Sequence, residues 1–232
     1  MNYTRKESEI KNPVKLVSTT LDDVVGNLEF KVGFIQTRTS SRGSDYLSIM
    51  QKIKTTVSKG SYDLIVGPEY SFVPKSRVFG ESEKDKLLAE IISFTKGHDA
   101  LVVPGTFLWQ KNKELRNTAY FVKDGEVVYS YDKMRDGGER GVALSYGLSF
   151  ILGTNLGCFD CSGIKFGVEI CADAGILADH FVKDRDLVLL LSCGNDYTWT
   201  KSAWCVINDG HYLHGKVKVR RNYESVFIRN LV

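Results

Sequence analysis

Residues 163–173 read Gly-Ile-Lys-Phe-Gly-Val-Glu-Ile-Cys-Ala-Asp, and this stretch indicates a strand with a reactive position at its end. From Ile164 to Ile170, apolar side chains alternate with polar or glycine residues, which is typical of a strand with one buried face. The alternation stops at Cys171, and residues 176–181 then predict a short helix. A cysteine at such a junction lies on a sharp turn, where free backbone N–H groups can stabilise an oxyanion. Taken alone, the cysteine also fits a small buried apolar residue, so the assignment depends on partners elsewhere in the chain.

The composition is that of an ordinary globular chain. Its 232 residues predict a single domain, 1–232, with residues 1–30 as an N-terminal extension, and 43% are hydrophobic. A net charge of +3 is too small to indicate a nucleic-acid partner. We expect no membrane association, because no apolar run approaches the length that spans a bilayer. Five cysteines without a signal peptide predict reduced thiols and a cytoplasmic protein.

Strands and helices alternate along the chain. Two helices are predicted from apolar spacing, one from Ser44 to Gly60 and one from Ser82, with Asp85 in a capping box, to Gly97. Some strands are apolar throughout and others alternate, which favours two packed sheets with helices on the outer faces. The remaining predictions are strands at 14–20, 21–30, 31–36, 63–66, 100–104, 117–122, 126–131, 187–191 and 226–228, an irregular loop at 134–149 and a helix at 211–223, with 197–209 left unassigned.

Three of these strand ends carry residues whose chemistry fits together. Glu69, Lys133 and Cys171 each follow a strand, so one sheet edge can bring them to a common site. Cysteine is a nucleophile, and a glutamate whose pKa is raised by burial can serve as general base and acid. Lysine, with the backbone N–H of Ala172, can stabilise a tetrahedral oxyanion, and its charge also favours the thiolate.

The segments that carry these residues resemble the three signature blocks of the nitrilase superfamily, the carbon–nitrogen hydrolases. The blocks are 63–69, 116–133 and 167–173, in the order and approximate spacing of that family, and the resemblance extends from about Lys31 to Asn230. It implies a four-layer α-β-β-α sandwich of the nitrilase type within the α/β class, and the catalytic triad Glu69, Lys133 and Cys171. It also implies no metal and no organic cofactor.

The resemblance suggests further features. Members often carry a second glutamate that orients the lysine or the substrate, and Glu139 is the candidate here. Members usually pair into dimers through a C-terminal tail longer than the one that ends at Val232, so a homodimer is possible but its mode is open. We hypothesise that residues 14–30 fill the sheet position of that tail. The small residues after Cys171 predict an altered substrate pocket.

Other motifs in the sequence fit structural roles better than functional sites. Cys158 and Cys161 have metal-like spacing but lack a matching second pair, so two structural thiols are expected. The basic residues 216–221 fit a solvated face better than a phosphate site. Four further residues are assigned structural roles: Asn117 to the hairpin, Asp173 to a cap on the next helix, and Tyr131 and Trp109 to the core rather than the pocket.

The leading hypothesis is a thiol hydrolase of C–N bonds, most simply an amidase, acting on a small-molecule amide or a peptide side-chain amide. The alternative is a catalytically inactive binding or scaffold protein that keeps the fold. A third possibility, a nucleic-acid-associated protein using the basic segment near the C-terminus, requires salt-dependent binding to an oligonucleotide.

Overall fold

The structure, a computed structural model, describes residues 14–20, 29–180, 182, 185–195, 204–221 and 224–228. Within these ranges, two β-sheets and four α-helices form a mixed α/β fold. The first sheet has nine strands: β1 (Val14–Thr20), β2 (Glu29–Ile35), β3 (Leu64–Val66), β4 (Phe79–Gly80), β5 (Leu101–Val103), β6 (Thr106–Lys111), β7 (Glu114–Lys123), β8 (Glu126–Asp132) and β9 (Ser149–Phe150). The second has six: β10 (Gly157–Cys161), β11 (Ile164–Ile170), β12 (Leu187–Ser192), β13 (Trp204–Asp209), β14 (His214–Arg221) and β15 (Glu224–Ile228).

Within each sheet, the central strands are parallel to one another. In the first sheet β2, β3 and β5 are parallel neighbours, and β7 joins them in the order β1-β2-β3-β5-β7-β6-β4, with β8 and β9 also paired to β7. In the second, β11, β12 and β13 are parallel neighbours in the order β10 to β15. Parallel strands end at the same edge, which is why residues that follow different strands can meet in one site.

Each sheet is covered on both faces. Leu64 and Val66 enter the core shared by the two sheets, whereas Ile65 between them packs under the helices α1 (Tyr46–Ser58) and α2 (Glu81–Thr95). In the second sheet the odd-numbered leucines of β12 enter the shared core, and the even-numbered residues pack against the short helix α4 (Ile176–Asp179). Strands covered on both faces have no polar side, which explains the uninterrupted apolar runs at 64–66 and 187–191. The layer order is helix, sheet, sheet, helix, and the predicted fold class is confirmed.

Two contacts set how closely the sheets approach. Asn208 donates from Nδ2 to the carbonyl oxygens of Ile35 and Val66, at 3.3 and 2.6 Å, and so links β13 to the ends of β2 and β3. A Cβ atom at Gly215 would lie 2.2 Å from the ring of Phe34, so only glycine fits where β14 crosses that side chain.

The structure corrects several sequence-based expectations. Residues 214–221 of the segment predicted as a helix at 211–223 form the strand β14, and their period-two alternation of valine with basic residues explains why. The loop at 134–149 contains the helix α3 (Glu139–Ser145), and the unassigned segment before 209 contains β13. Helix α2 begins at Glu81, and Glu83 rather than Asp85 accepts the N–H of the N-cap residue Gly80, at 3.1 Å.

At the N-terminal side, the predicted strand at 14–20 forms β1 at the edge of the first sheet. The partner of Val14–Thr20 is Glu29–Ile35, which runs antiparallel to it. The predicted strand at 21–30 falls largely on residues 21–28, which lie outside the described residues. No helix in the described ranges is both long and apolar enough to span a membrane.

Candidate active site

Glu69, Lys133 and Cys171 are brought together at one edge of the two sheets. Glu69 follows β3, and its backbone N–H donates to the carbonyl of Ser192 at the end of β12, at 3.3 Å, which joins the two sheets at this point. Lys133 follows β8, and its N–H donates to the carbonyl of Asn117 at 2.9 Å. The side chains of Glu69 and Lys133 are fully buried, and Cys171 is half-buried.

Lys133 lies between two carboxylates. Its Nζ is 2.7 Å from Oε1 of Glu69 and 2.5 Å from Oε1 of Glu139, which is the first residue of α3 and is also fully buried. The structure therefore brings the predicted second glutamate into direct contact with the lysine. One ammonium shared by two buried carboxylates leaves a net negative charge, and such a charge is costly unless hydrogen bonds or a proton offset it.

The two carboxylates differ in the hydrogen bonds that offset this cost. Oε1 of Glu139 also accepts hydrogen bonds from the hydroxyl of Tyr70 at 2.5 Å and from Nδ2 of Asn117 at 3.1 Å, and its Oε2 accepts from the backbone N–H of Gly137 at 2.7 Å. Oε1 of Glu69 accepts from Lys133 and from Nδ2 of Asn117, the latter at 3.0 Å. Oε2 of Glu69 is buried and has no hydrogen-bond partner among the described residues.

The pKa values follow from these surroundings. Burial raises the pKa of Glu69 to about 7, even though the charge of Lys133 opposes it, and the charge of Glu139 adds to the increase. Burial also raises the pKa of Glu139, but Lys133, Tyr70 and Gly137 outweigh this effect and hold the pKa below its ordinary value. Two carboxylates with opposite shifts beside one lysine are typical of an acid–base site, in which one group exchanges protons and the other stays charged.

Lys133 remains an ammonium ion. Burial lowers its pKa, but the carboxylates of Glu69 and Glu139 together exceed that effect, so the pKa lies above the ordinary lysine value. A cation held in a buried position can stabilise negative charge that develops next to it.

Cys171 leaves its strand on a strained turn. Its φ angle is +46°, in the left-handed region, and it begins a single 3-10 turn, Cys171–Asp173. Burial raises the pKa of its thiol to about 12, the charge of Glu69 raises it further, and the backbone N–H of Cys193 opposes both. The resting group is therefore a thiol that needs a base to become a nucleophile. The side chain of Asn195 donates from Nδ2 to the Cys171 carbonyl at 3.0 Å.

Asp173 holds the turn against the segment that carries Lys133, and the prediction that it caps the following helix is wrong. Its buried carboxylate accepts the backbone N–H groups of Met134 and Arg135, at 3.1 and 2.6 Å for Oδ1, and the hydroxyl of Tyr131 at 2.9 Å. Helix α4 is instead capped by Glu169, which accepts the N–H groups of Gly175 and Leu177 at 3.0 and 3.1 Å.

The backbone of Gly137 approaches Nζ of Lys133 closely. A Cβ atom added to Gly137 would be 2.9 Å from Nζ and 3.3 Å from the Cβ of Ala172. Glycine at 137 thus lets the backbone approach the lysine next to the residue that follows Cys171. The backbone N–H of Ala172 is a donor within the same turn.

Sequence reasoning missed or misassigned several residues of the site. Asn117 was assigned to the hairpin, but its side chain contacts both glutamates. Its position along β7 could have indicated this role. Alternate residues of a strand share one face, so Asn117 lies on the inward face of β7 with Ala119 and Phe121. Trp109 lies in the outer core, as predicted, and Nζ of Lys84 lies 4.5 Å from the centre of its ring. Tyr70, Cys193 and Asn195 carried no local signal.

The remaining candidates lie away from this cluster. Cys158 and Cys161 are free, half-buried thiols on β10. In the part of the chain that the structure describes, no group of three or more His, Cys, Asp or Glu side chains is placed to hold a metal ion. The side chains of residues 216–221 lie outside the described set.

Solved structures of other proteins have a similar fold. Nit3 from Saccharomyces cerevisiae, a member of branch 10 of the nitrilase superfamily, is 17% identical, with 82% of each chain covered and a TM-score of 0.60. A mutant of the amidase from Nesterenkonia sp. AN1, with acrylamide added at its active-site cysteine, is 14% identical; 82% of this chain and 85% of that chain are covered, with a TM-score of 0.60. These similarities show a shared fold.

A longer protein matches over part of its length. The glutamine-dependent NAD+ synthetase from Acinetobacter baumannii is 24% identical over 72% of this chain, with a TM-score of 0.50. This chain spans only 33% of the length of the synthetase. A search of curated protein sequences finds no significant match.

The sequence profile of the carbon–nitrogen hydrolases matches residues 31–177, which include Glu69, Lys133, Glu139 and Cys171. That match covers more than half of the chain. It confirms the resemblance that the three sequence blocks indicated, and the chain belongs to the carbon–nitrogen hydrolase family.

Proposed function

We propose that this protein hydrolyses an amide C–N bond through a thioester on Cys171. The observation that carries the proposal is the buried Glu69–Lys133–Glu139 arrangement next to that thiol. Glu69 has a free oxygen and a pKa of about 7, so near neutral pH it can both accept and return a proton. The thiol has a pKa of about 12 and depends on such a base.

In the first half of the reaction, Sγ of Cys171 attacks the carbonyl carbon and the thiol proton passes to Glu69. The carbonyl oxygen becomes an oxyanion, stabilised by the ammonium of Lys133 and the backbone N–H of Ala172. Collapse of this intermediate breaks the C–N bond. The leaving nitrogen takes the proton from Glu69 and departs as ammonia or an amine, which leaves the acyl group on sulfur.

In the second half, water attacks the thioester and gives a proton to Glu69. The new oxyanion occupies the same position, and its collapse expels the sulfur, which recovers the proton from Glu69. The products are a carboxylic acid and ammonia or an amine, and the enzyme returns to its starting state. Glu139 stays charged throughout and holds Lys133 in place, in keeping with its lowered pKa.

An amide is favoured over a nitrile as the substrate. Cleavage of an amide needs one proton on the leaving nitrogen, which matches the single proton that Glu69 takes from the thiol, whereas the nitrogen of a nitrile needs further protons before it can leave. One similar structure is described as an amidase and another as a glutamine-dependent enzyme, so small primary amides and the side-chain amide of glutamine are the first substrates to test.

The test is ammonia release from a panel of primary amides, nitriles, carbamoyl compounds and glutamine-containing peptides. We expect release from at least one amide with the wild type and none with Cys171→Ala. The matched control is Cys161→Ala, because Cys161 is also a half-buried free thiol but lies at the opposite end of the β10–β11 hairpin. If the wild type releases no ammonia from any compound of the panel, or if Cys171→Ala releases as much as the wild type, the proposal is contradicted and a binding or scaffold protein is favoured.

A further inference from the structure

The polar contacts of Asn117 distinguish it from an ordinary residue of the sheet. Its side chain is 1% exposed, and Nδ2 donates to Oε1 of Glu69 at 3.0 Å and to Oε1 of Glu139 at 3.1 Å. Nζ of Lys133 contacts the same two oxygens. Asn117 is thus a second donor that bridges both carboxylates, and it carries no charge.

This arrangement has a cost. Oδ1 of Asn117 is buried without a hydrogen-bond partner among the described residues, and an unpaired buried acceptor destabilises a fold by about 1–3 kcal/mol. Turning the amide over would place Oδ1 against two carboxylate oxygens, so the observed orientation is the one that the charges require. A leucine of similar size would avoid the unpaired acceptor, which indicates that the amide serves the site and not the packing.

The backbone of Asn117 reinforces the same geometry. Its carbonyl accepts the N–H of Lys133 at 2.9 Å, directly after the β7–β8 pair Thr118–Asp132. Asn117 therefore positions the backbone of Lys133 through its own carbonyl group, and both carboxylates through its side chain. With Oε1 of Glu69 held by two donors, Oε2 is the oxygen left for proton exchange.

We propose that Asn117 is a positioning residue, which holds Oε1 of Glu69 and Glu139 around Lys133 so that Glu69 accepts and returns protons through Oε2. This inference rests on the proposed function. Its measurable consequence is a change in when Glu69 ionises, because a donor to the charged carboxylate favours the charged form. The titratable groups around the two carboxylates, on all elements packed there, are Tyr70, Lys133, Cys171 and Cys193.

The experiment follows the rate at which iodoacetamide alkylates Cys171 as a function of pH, with peptide mass mapping to separate the five cysteines. This assay reports the Glu69–Cys171 pair without any turnover. In Asn117→Leu and Asn117→Ala, we expect the rise in rate to move to higher pH by roughly half a unit to one unit, because the ionised form of Glu69 loses a donor. Asn117→Asp adds a negative charge at the same size, and the shift is expected in the same direction.

Asn208→Leu is the matched control. Asn208 is also 1% exposed with an unpaired Oδ1, but its Nδ2 donates to backbone carbonyls. It should lower the melting temperature without moving the alkylation profile. A folded Asn117 variant with the wild-type profile, an equal shift in Asn208→Leu, or unfolding of all three Asn117 variants while Asn208→Leu folds would overturn the proposal.

Turnover of the same variants separates the two proposals. If the wild type hydrolyses an amide, Asn117→Leu should lower kcat more than it raises KM, since positioning acts on the chemical steps. A shifted alkylation profile in a protein that hydrolyses nothing supports the role of Asn117 and contradicts the proposed function. A loss of turnover in Asn117→Leu without a shifted alkylation profile supports the proposed function and contradicts the role of Asn117.

Discussion

Glu69 and Glu139 both lie against Nζ of Lys133, at 2.7 and 2.5 Å, and both side chains are fully buried. They differ in the other hydrogen bonds that they accept. Glu139 accepts hydrogen bonds from Tyr70, Asn117 and the N–H of Gly137, so both of its oxygens have partners. Glu69 keeps one oxygen without a partner among the described residues.

The comparison explains how two identical side chains come to differ in pKa within one buried site. Every donor to Glu139 stabilises its charge, so that the pKa falls despite burial. Glu69 has fewer donors and lies beside the charge of Glu139, so burial dominates and the pKa rises to about 7. The number of donors, and not the distance to the lysine, separates the carboxylate whose pKa is raised from the one whose pKa is lowered.

The largest effect is expected from Glu69→Gln, which removes the base and keeps the size of the side chain. General acid–base catalysis contributes about 10²–10⁴-fold, so kcat should fall by that amount on whichever amide the panel identifies. The residual rate should lose its dependence on a group with a pKa of about 7. Steady-state kinetics from pH 5 to 9 measure both; a variant within tenfold of the wild type would assign the base elsewhere.

Glu139→Gln should move the pH profile rather than remove it. The charge of Glu139 raises the pKa of Glu69, so its loss should lower that pKa and shift the acidic limb of kcat to lower pH by roughly one unit. This direction is opposite to the one expected for Asn117→Leu. Alkylation of Cys171 across pH gives the same information if turnover is too slow, and a shift to higher pH would show that the comparison between the two carboxylates is wrong.

A smaller effect is expected from Asp173→Asn, which weakens the anchor of the segment leading to Glu139. The carboxylate accepts two backbone N–H groups and the Tyr131 hydroxyl, so its loss should lower the free energy of unfolding by about 1–3 kcal/mol and the melting temperature by several degrees. Asp179→Asn is the control, since its pairing with Arg135 is largely exposed and should contribute little. Equal melting temperatures for the two variants, measured by calorimetry, would argue against the anchor.

Much of the fold could be predicted from local patterns. The alternation from Ile164 to Ile170 is a property of the strand itself, and the apolar run 187–191 reflects covering on both faces. Residues 214–221 form a strand although a helix was predicted over 211–223, and the alternation of valine with basic residues in this segment is typical of a strand.

From local patterns alone, the candidate site was predicted only where residue type and strand end coincide, at Glu69, Lys133 and Cys171, whereas Glu139 was predicted from the family resemblance. Asn117 and Asp173 act on groups that are far away in sequence: Asn117 contacts Glu69, which lies 48 residues before it, and Asp173 contacts Met134, which lies 39 residues before it. Local rules assign such residues to hairpins and caps, because the competing long-range acceptor or donor is not visible in the neighbouring sequence.

The most direct test of the central claim is the intact mass of the protein during reaction with an amide. We expect a covalent species heavier by the acyl group, mapped to Cys171, that forms in the wild type and is absent from Cys171→Ala. Hydroxylamine should release the acyl group from sulfur as a hydroxamate. Turnover with no acyl species on any cysteine under rapid acid quench, or with the acyl group on a residue other than Cys171, would contradict the central claim.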